Sequence, residues 1–422
     1  MKILRIRGGV PLEGELVVSG SKNAALPILA ATLFIREPIT LIGLPEISDV
    51  YEMLHLLSLR GVTVEQEEKG RYRICARDAV PISEPPSEDG RLRGSIYLLG
   101  AGLAAHGESA VGLPGGCDFG GRPIDLHLSA LRALGASVSE GEKGVYARAE
   151  RLSGCEISLA YPSVGATVNA ILAATAASGR TVLRGVAREP HVYDLIAFLM
   201  SCGARIETPV EGTVIVYGGA RLHGASYRVM PDMIEAGSYL FMAAATRGNV
   251  RLRRAPLDQL SSVLPLLSAS GCEIVRIRAD EVSLRMRKRP APLSVKAEPY
   301  PGFPTDLHPQ LAAYLAVCDG ESQVTETVFR ERFRYLKGLS AFGASVLREG
   351  RTVRIVGCER LSGARVEAPD LRAAAAYLTA AMTARGESLL LGAELLYRGY
   401  EAPLRKLRRL GAIISDGVDV RV

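Results

Sequence analysis

Leu54-His55-Leu56-Leu57-Ser58-Leu59-Arg60-Gly61-Val62-Thr63-Val64 decides the fold, because the same shape recurs along the chain. It returns as LSALRALGASV from Leu128, IAFLMSCGARI from Ile196, LPLLSASGCEI from Leu264, LKGLSAFGASV from Leu336 and LRKLRRLGAII from Leu404. In each copy, apolar residues at helical spacing stop at a glycine suited to a left-handed helix end, and a β-type run follows. The glycines stand at 61, 135, 203, 271, 343 and 411, separated by 74, 68, 68, 72 and 68 residues. Six units of about 70 residues therefore account for nearly the whole chain.

Upstream of each signature the pattern predicts an Ala/Leu-rich helix, a turn and a short β-branched strand. Examples are Asn23–Phe34 then Ile39–Leu44, Val168–Ala177 then Thr181–Gly185, and Ala373–Thr383 then Glu387–Leu391. Each unit reads as helix, strand, loop, helix, strand, strand. Such a βαβαββ-like unit cannot cover its own faces, so copies must share cores, and three per domain is the symmetric arrangement. The first helices are almost wholly apolar, as helices buried at the centre of a domain are.

Composition narrows the function. At 422 residues, 48% hydrophobic and 23% charged, the chain exceeds one ordinary domain and has material for a large core. It shows neither a secretory leader pattern nor an apolar run long enough to cross a bilayer, so a cytoplasmic protein without membrane insertion is expected. The seven cysteines at 75, 117, 155, 202, 272, 318 and 358 have no CxxC pair and no metal-type spacing, so neither a disulfide framework nor a metal is expected. Cys202 and Cys272 read as inert buried thiols. A net charge of +6 favours an anionic partner, but the basic residues are dispersed, Trp is absent and aromatics are 5%. A small anionic ligand fits better than nucleic acid.

Chemistry is concentrated in PGGCDFGGRPIDLH at Pro114–His127, where Cys117 lies between glycine pairs and five residues before Arg122. The glycines leave the sulfur uncovered, and a nearby guanidinium favours the thiolate, which suits nucleophilic or acid–base work. At the first-helix starts of the six copies stand Lys22-Asn23, Arg93, Ser163-Val164-Gly165, Asp232 with Glu235, Asp306, and Asp370 with Arg372. The loops before the second helices add Arg122, Arg188-Glu189, Arg332 and Arg398. One such acid is ordinarily a cap and one such arginine a solvated charge. Recurring at matching places in a repeat, they suit a shared anion site between two domains, with helix N-termini supplying N–H groups.

The ordered motifs SGSKNAALP (Ser19–Pro27), PGGCDFGGRPIDLH, PSVGAT (Pro162–Thr167), AREP (Ala187–Pro190), GFPTDLHPQ (Gly302–Gln310), ETVFRERF (Glu326–Phe333), DLRAAAA from Asp370 and YRGYE (Tyr397–Glu401) span the chain. With them it resembles the enolpyruvyl transferase family, in particular its branch acting on UDP-N-acetylglucosamine in peptidoglycan synthesis. The shikimate-pathway branch lacks the cysteine loop. The resemblance implies a two-domain inside-out α/β barrel of six βαβαββ-like repeats, three per domain with pseudo-symmetry. One domain would be residues 22–229 and the other 1–21 plus 230–422, with the site in the cleft between them. It implies phosphoenolpyruvate and UDP-N-acetylglucosamine as substrates, no cofactor and no obligate protein partner.

The resemblance also implies site roles. Cys117 would protonate the enolpyruvyl methylene carbon, take a phospholactoyl adduct, and be labelled by an epoxide such as fosfomycin. Asp306 would be the base for the sugar 3-hydroxyl. Lys22, Asn23, Arg122 and Arg398 would hold phosphoenolpyruvate, and Lys22 and Arg398 belong with the catalytic set. Asn23, Arg93, Arg122, Pro123, Ile124, Asp125, Leu126, Ser163, Val164, Gly165, Asp306 and Val328 would bind the sugar nucleotide. Glu189, Arg332, Asp370 and Arg372 would support the site. The chain departs at Tyr161 and Met233, where some members carry a lysine and an arginine, and Asp118 beside Cys117 opposes thiolate formation. Two other readings compete with an active transferase. A non-catalytic sugar-nucleotide regulator sits poorly with intact Lys22, Cys117, Asp306 and Arg398. A nucleic-acid end-processing enzyme would need a basic track and a reactive histidine.

Overall fold

Apolar helices can begin only where something satisfies their first N–H groups. Four caps do so here. The Ser21 hydroxyl accepts from Ala24 N–H at the Lys22–Ala31 helix, and Ser163 from Ala166 N–H at Val164–Ala176. Asp232 accepts from Ile234 and Glu235 N–H at Met233–Ala245, and Asp370 from Arg372 and Ala373 N–H at Leu371–Thr383. Each cap stabilises its helix by about 1 kcal/mol, and the Ala/Leu-rich runs behind them are buried along almost their full length.

The computed structural model describes residues 2–113, 115 and 123–416. The chain divides into two compact units, Gly20–Met230 and Met1–Ser19 with Pro231–Val422. In the first, the Lys22–Ala31, Tyr97–His106 and Val164–Ala176 helices pack together in one apolar core. The closest approach needs Gly100, where an added Cβ would lie 2.7 Å from the Asn169 carbonyl oxygen. In the second unit the Met233–Ala245, His308–Leu315 and Leu371–Thr383 helices form the equivalent core. Among the described residues no helix is long and apolar enough to cross a membrane.

Sheets flank these helices, giving a mixed α/β architecture. Among the described residues there are six, five of four strands and one of three. Each four-stranded sheet has one parallel edge pair and antiparallel pairing elsewhere; Ser226–Arg228 on Ile39–Ile42 and Glu13–Val17 on Asn249–Arg253 are such parallel pairs. The six signature glycines, 61, 135, 203, 271, 343 and 411, all have φ between 76° and 103° and hand a helix end to the strand that follows. That conformation costs glycine little and other residues about 1–2 kcal/mol.

Two features depart from six equal units. Among the described residues, the sheet of Glu108–Gly112, Ser137–Gly141 and Gly144–Arg148 lacks a parallel edge strand. The chain preceding it carries Pro81, Pro85 and Pro86, which cannot donate to a ladder. The N-terminal strand Ile3–Arg7 also lies between Glu387–Leu391 and Ile413–Asp416, completing the last sheet with the first residues of the chain.

Candidate active site

Asp306 lies in the short 3-10 turn Thr305–Leu307 that leads into the His308–Leu315 helix. Two guanidiniums converge on its carboxylate. The Arg332 Nη2 donates to Oδ1 at 2.5 Å and the Arg372 Nη2 to Oδ2 at 2.7 Å. Both arginine side chains are buried, whereas Asp306 keeps 26% exposure, so its carboxylate is the part of the cluster that meets solvent. Burial pulls the Arg372 pKa down, but Asp306 and the neighbouring Tyr400 and Asp232 more than offset this and leave it raised. The two guanidiniums fix both oxygens of the Asp306 carboxylate in place. Asp370, capping the same helix that carries Arg372, fixes that arginine's backbone N–H at 2.8 Å.

Beneath this cluster is a polar layer centred on one buried carboxylate. Glu326, fully buried, accepts from the Val328 and Phe329 N–H groups, the Thr305 hydroxyl and His308 Nδ1. Burial pushes the Glu326 pKa up, but the His308 contact, the Thr305 hydroxyl and the Phe329 N–H outweigh it and hold it below the usual carboxylate range. Arg398 closes the 3-10 turn Ala393–Arg398 and is half-buried.

The Gly20–Met230 unit carries a second group of residues. Lys22 opens its helix and pairs with Asp49, from the first turn of the Ser48–Ser58 helix, with Asn23 beside it. Elsewhere Asp125 and Leu126 start the Asp125–Ala133 helix, and Pro123 and Ile124 lead into it. His127, on that helix's first turn, is buried against the Ser163–Val164–Gly165 turn so tightly that a Cβ on Gly165 would lie 2.6 Å from its Nε2. Asn169 orients the ring. Its Oδ1 accepts from Gly100 N–H, so its amide nitrogen donates to the Ile96 carbonyl at 2.9 Å and to His127 Nδ1 at 2.8 Å. The proton of neutral His127 therefore sits on Nε2, facing the glycine turn. Glu189 stands at the N-terminus of Pro190–Ser201, Tyr161 is exposed, and Met233 is buried in its helix's first turn.

Burial first, then the Arg93 guanidinium, depress the His127 pKa to about 4, only partly countered by Asp125. Its unfolded value is near 6.5, so the unfolded chain binds the extra proton between those limits. Stability is fully present above pH 6.5 and falls as pH drops toward 4, by about 3 kcal/mol at most. Denaturation of wild type and His127→Leu, followed by amide exchange in this unit from pH 7 to pH 4, should show the steeper loss in wild type. Equal slopes would remove His127 as the titrating group.

Cys117 and Arg122, with Asp118, lie outside the described residues. Cys202 and Cys272 are buried, and desolvation pushes each thiol up to about 11, the setting of an inert side chain. Among the described residues no group of three His, Cys, Asp or Glu side chains could hold a metal ion. Sequence reasoning passed over Asp49, His127, Asn169, Thr305, His308 and Glu326. Four of these sit inside or beside quoted motifs: His127 closes the cysteine stretch, Thr305 and His308 flank Asp306, and Glu326 opens ETVFRERF.

The family model for EPSP synthase (3-phosphoshikimate 1-carboxyvinyltransferase) matches residues 6–407, and the chain belongs to this family of enolpyruvyl transferases. Within it, the chain is 41% identical to UDP-N-acetylglucosamine 1-carboxyvinyltransferase 3 of Symbiobacterium thermophilum, over 98% of each chain. The enzyme named UDP-N-acetylglucosamine 1-carboxyvinyltransferase from Desulfovibrio desulfuricans is also 41% identical, over 98% of this chain and 99% of its own. Among solved structures, the enolpyruvyl transferase NikO from Streptomyces tendae superposes with a TM-score of 0.89 at 25% identity, covering 98% of both chains.

Proposed function

We propose that this enzyme transfers the enolpyruvyl group of phosphoenolpyruvate to the 3-hydroxyl of UDP-N-acetylglucosamine and releases phosphate, the first committed step of peptidoglycan synthesis in the cytoplasm. Near end-to-end identity of 41% with enzymes of that name carries the reading. In this reading Asp306 removes the hydroxyl proton, and the Arg332 and Arg372 guanidiniums hold it ready. The sugar oxygen bonds to the central carbon of phosphoenolpyruvate while Cys117 delivers a proton to the methylene carbon; loss of phosphate together with a proton from the resulting methyl group then restores the enol ether. Lys22, Arg122 and Arg398 neutralise the phosphate and carboxylate of phosphoenolpyruvate, while Asn23 and the Val328 backbone meet the sugar.

Arg93, the Arg122–Leu126 segment and the Ser163–Gly165 turn take the uridine and diphosphate. The His127 proton on Nε2 gives that turn a polar neighbour in addition to its backbone N–H groups. The finer architecture proposed is an inside-out α/β barrel of six repeats, with domains at 22–229 and at 1–21 plus 230–422. Glu189, Asp370 and Arg372 support the site without a separate chemical step assigned to each, and fosfomycin is expected to label Cys117. The test is phosphate release from phosphoenolpyruvate with and without UDP-N-acetylglucosamine. Release that needs both substrates is expected; a folded protein that binds the sugar nucleotide and releases nothing would be a non-catalytic binder.

A further inference from the structure

The Thr305 hydroxyl sits between two groups that determine its direction. Glu326 is a buried carboxylate and can only accept, so Thr305 O–H donates to its Oε2, at 2.6 Å. The threonine oxygen then presents its lone pairs the other way, and Arg332 Nε–H donates to it at 3.2 Å. The same guanidinium, through Nη2, holds Asp306 Oδ1 at 2.5 Å. A planar guanidinium fixed at both Nε and Nη2 has its plane defined, and with it the face of the carboxylate it grips.

Glu326 is itself over-determined. His308 Nδ1 lies 3.0 Å from Oε2, and the His308 Nε2 lies 3.1 Å from the Tyr335 hydroxyl. Neutral His308 with its proton on Nδ1 satisfies both, donating to Glu326 and accepting from Tyr335. Burial and the nearby Arg332 keep His308 neutral, outweighing the pull of Glu326. The other carboxylate oxygen takes the Val328 and Phe329 N–H groups at 2.7 and 3.1 Å. One buried carboxylate therefore ties the turn carrying Asp306 to the segment carrying Val328.

We infer that Glu326 and Thr305 are positioning residues: a part-buried relay, Glu326 to Thr305 to Arg332, that sets the orientation of the Asp306 carboxylate. The inference rests on the reading of Asp306 as the base for the sugar hydroxyl. Thr305→Val keeps the shape and removes the hydroxyl; Thr305→Ser keeps the hydroxyl. Glu326→Gln replaces one acceptor oxygen by an amide that cannot take the bonds Glu326 now receives there.

With phosphate release as readout, Thr305→Val and Glu326→Gln should each lower kcat by about 10–100-fold, the range of other outer-shell orienting partners. Thr305→Ser should stay within about threefold of wild type. The KM for phosphoenolpyruvate should change little. In Thr305→Val the acid limb of the kcat/KM pH profile should move to higher pH, because a guanidinium less well aimed steadies the Asp306 anion less. In an Arg332→Lys background, Thr305→Val should add almost nothing, since lysine has no Nε–H to align.

A Thr305→Val enzyme with wild-type kcat and pH profile would overturn the relay, as would Thr305→Ser losing as much as Thr305→Val. Failure of the underlying reading looks different: Asp306→Asn would then turn over normally. The relay itself is judged independently of turnover by a crystal structure of Thr305→Val. An Arg332 guanidinium rotated off Asp306 supports the relay, and one unmoved overturns it.

Discussion

Asp306→Asn is expected to lower phosphate release by about 10²–10⁴-fold, the range that a positioned general base contributes. The substitution keeps the shape of the side chain and an acceptor oxygen for one arginine, but an amide cannot take a proton from the sugar hydroxyl. Its NH₂ group also faces a guanidinium, Arg332 at Oδ1 or Arg372 at Oδ2, whichever way it turns. Both arginine side chains are buried, so losing the shared anion leaves their positive charge less compensated. Because Asp306 is itself partly exposed, the stability cost should be about 1–3 kcal/mol rather than the larger penalty of a fully dry pair. Binding of UDP-N-acetylglucosamine, measured by calorimetry, should weaken far less than turnover, separating loss of the base from loss of the site. An asparagine variant within tenfold of wild-type kcat would sink the assignment of Asp306.

The sequence makes local features legible and leaves long-range partners hidden. The left-handed conformation of Gly61 follows from helical periodicity that stops at a glycine, and the same reasoning reaches Gly135, Gly203, Gly271, Gly343 and Gly411. Asp370 and Asp232 announce themselves as caps because they immediately precede apolar runs. Motif order alone points to the family. The partners are another matter, because each pairs residues far apart in the chain: Lys22 with Asp49, His127 with Asn169, Asp306 with Arg372. Nothing in the local pattern distinguishes Asp49, in a helix's first turn, from an ordinary first-turn carboxylate. Glu326 reads as the last residue of a strand, and only the fold makes it the acceptor of four donors.

Arg60→Met is expected to destabilise the Gly20–Met230 unit by about 3–5 kcal/mol, the cost of breaking a buried ion pair. Arg60 is the residue before the first signature glycine, 2% exposed, and its Nη2 reaches both oxygens of Asp89, which is wholly buried. Its Nη1 also donates to the Leu56 carbonyl, and Asp89 accepts the Gly112 N–H at 3.1 Å. The pair thus ties the Ser48–Ser58 helix to the 3-10 turn ahead of Arg93 and to the end of the Glu108–Gly112 strand, from which the chain runs on toward Cys117. Burial raises the Asp89 pKa despite the opposing pull of Arg60, so desolvation already works against the pair and removing its cation should cost heavily. The sign fixes a pH dependence. An acid whose folded pKa is raised binds its proton more readily when folded, so the Arg60→Met penalty should shrink as pH falls from 8 toward 5. Adding Asp89→Asn should recover part of the loss, because a neutral amide still accepts from Gly112 and no anion remains buried. Amide exchange in the Ser48–Ser58 helix reads this unit directly, which a single melting temperature of a two-unit chain does not. A penalty below about 1 kcal/mol at pH 8, or one that grows on acidification, would mean that water or a rearranged partner compensates Asp89.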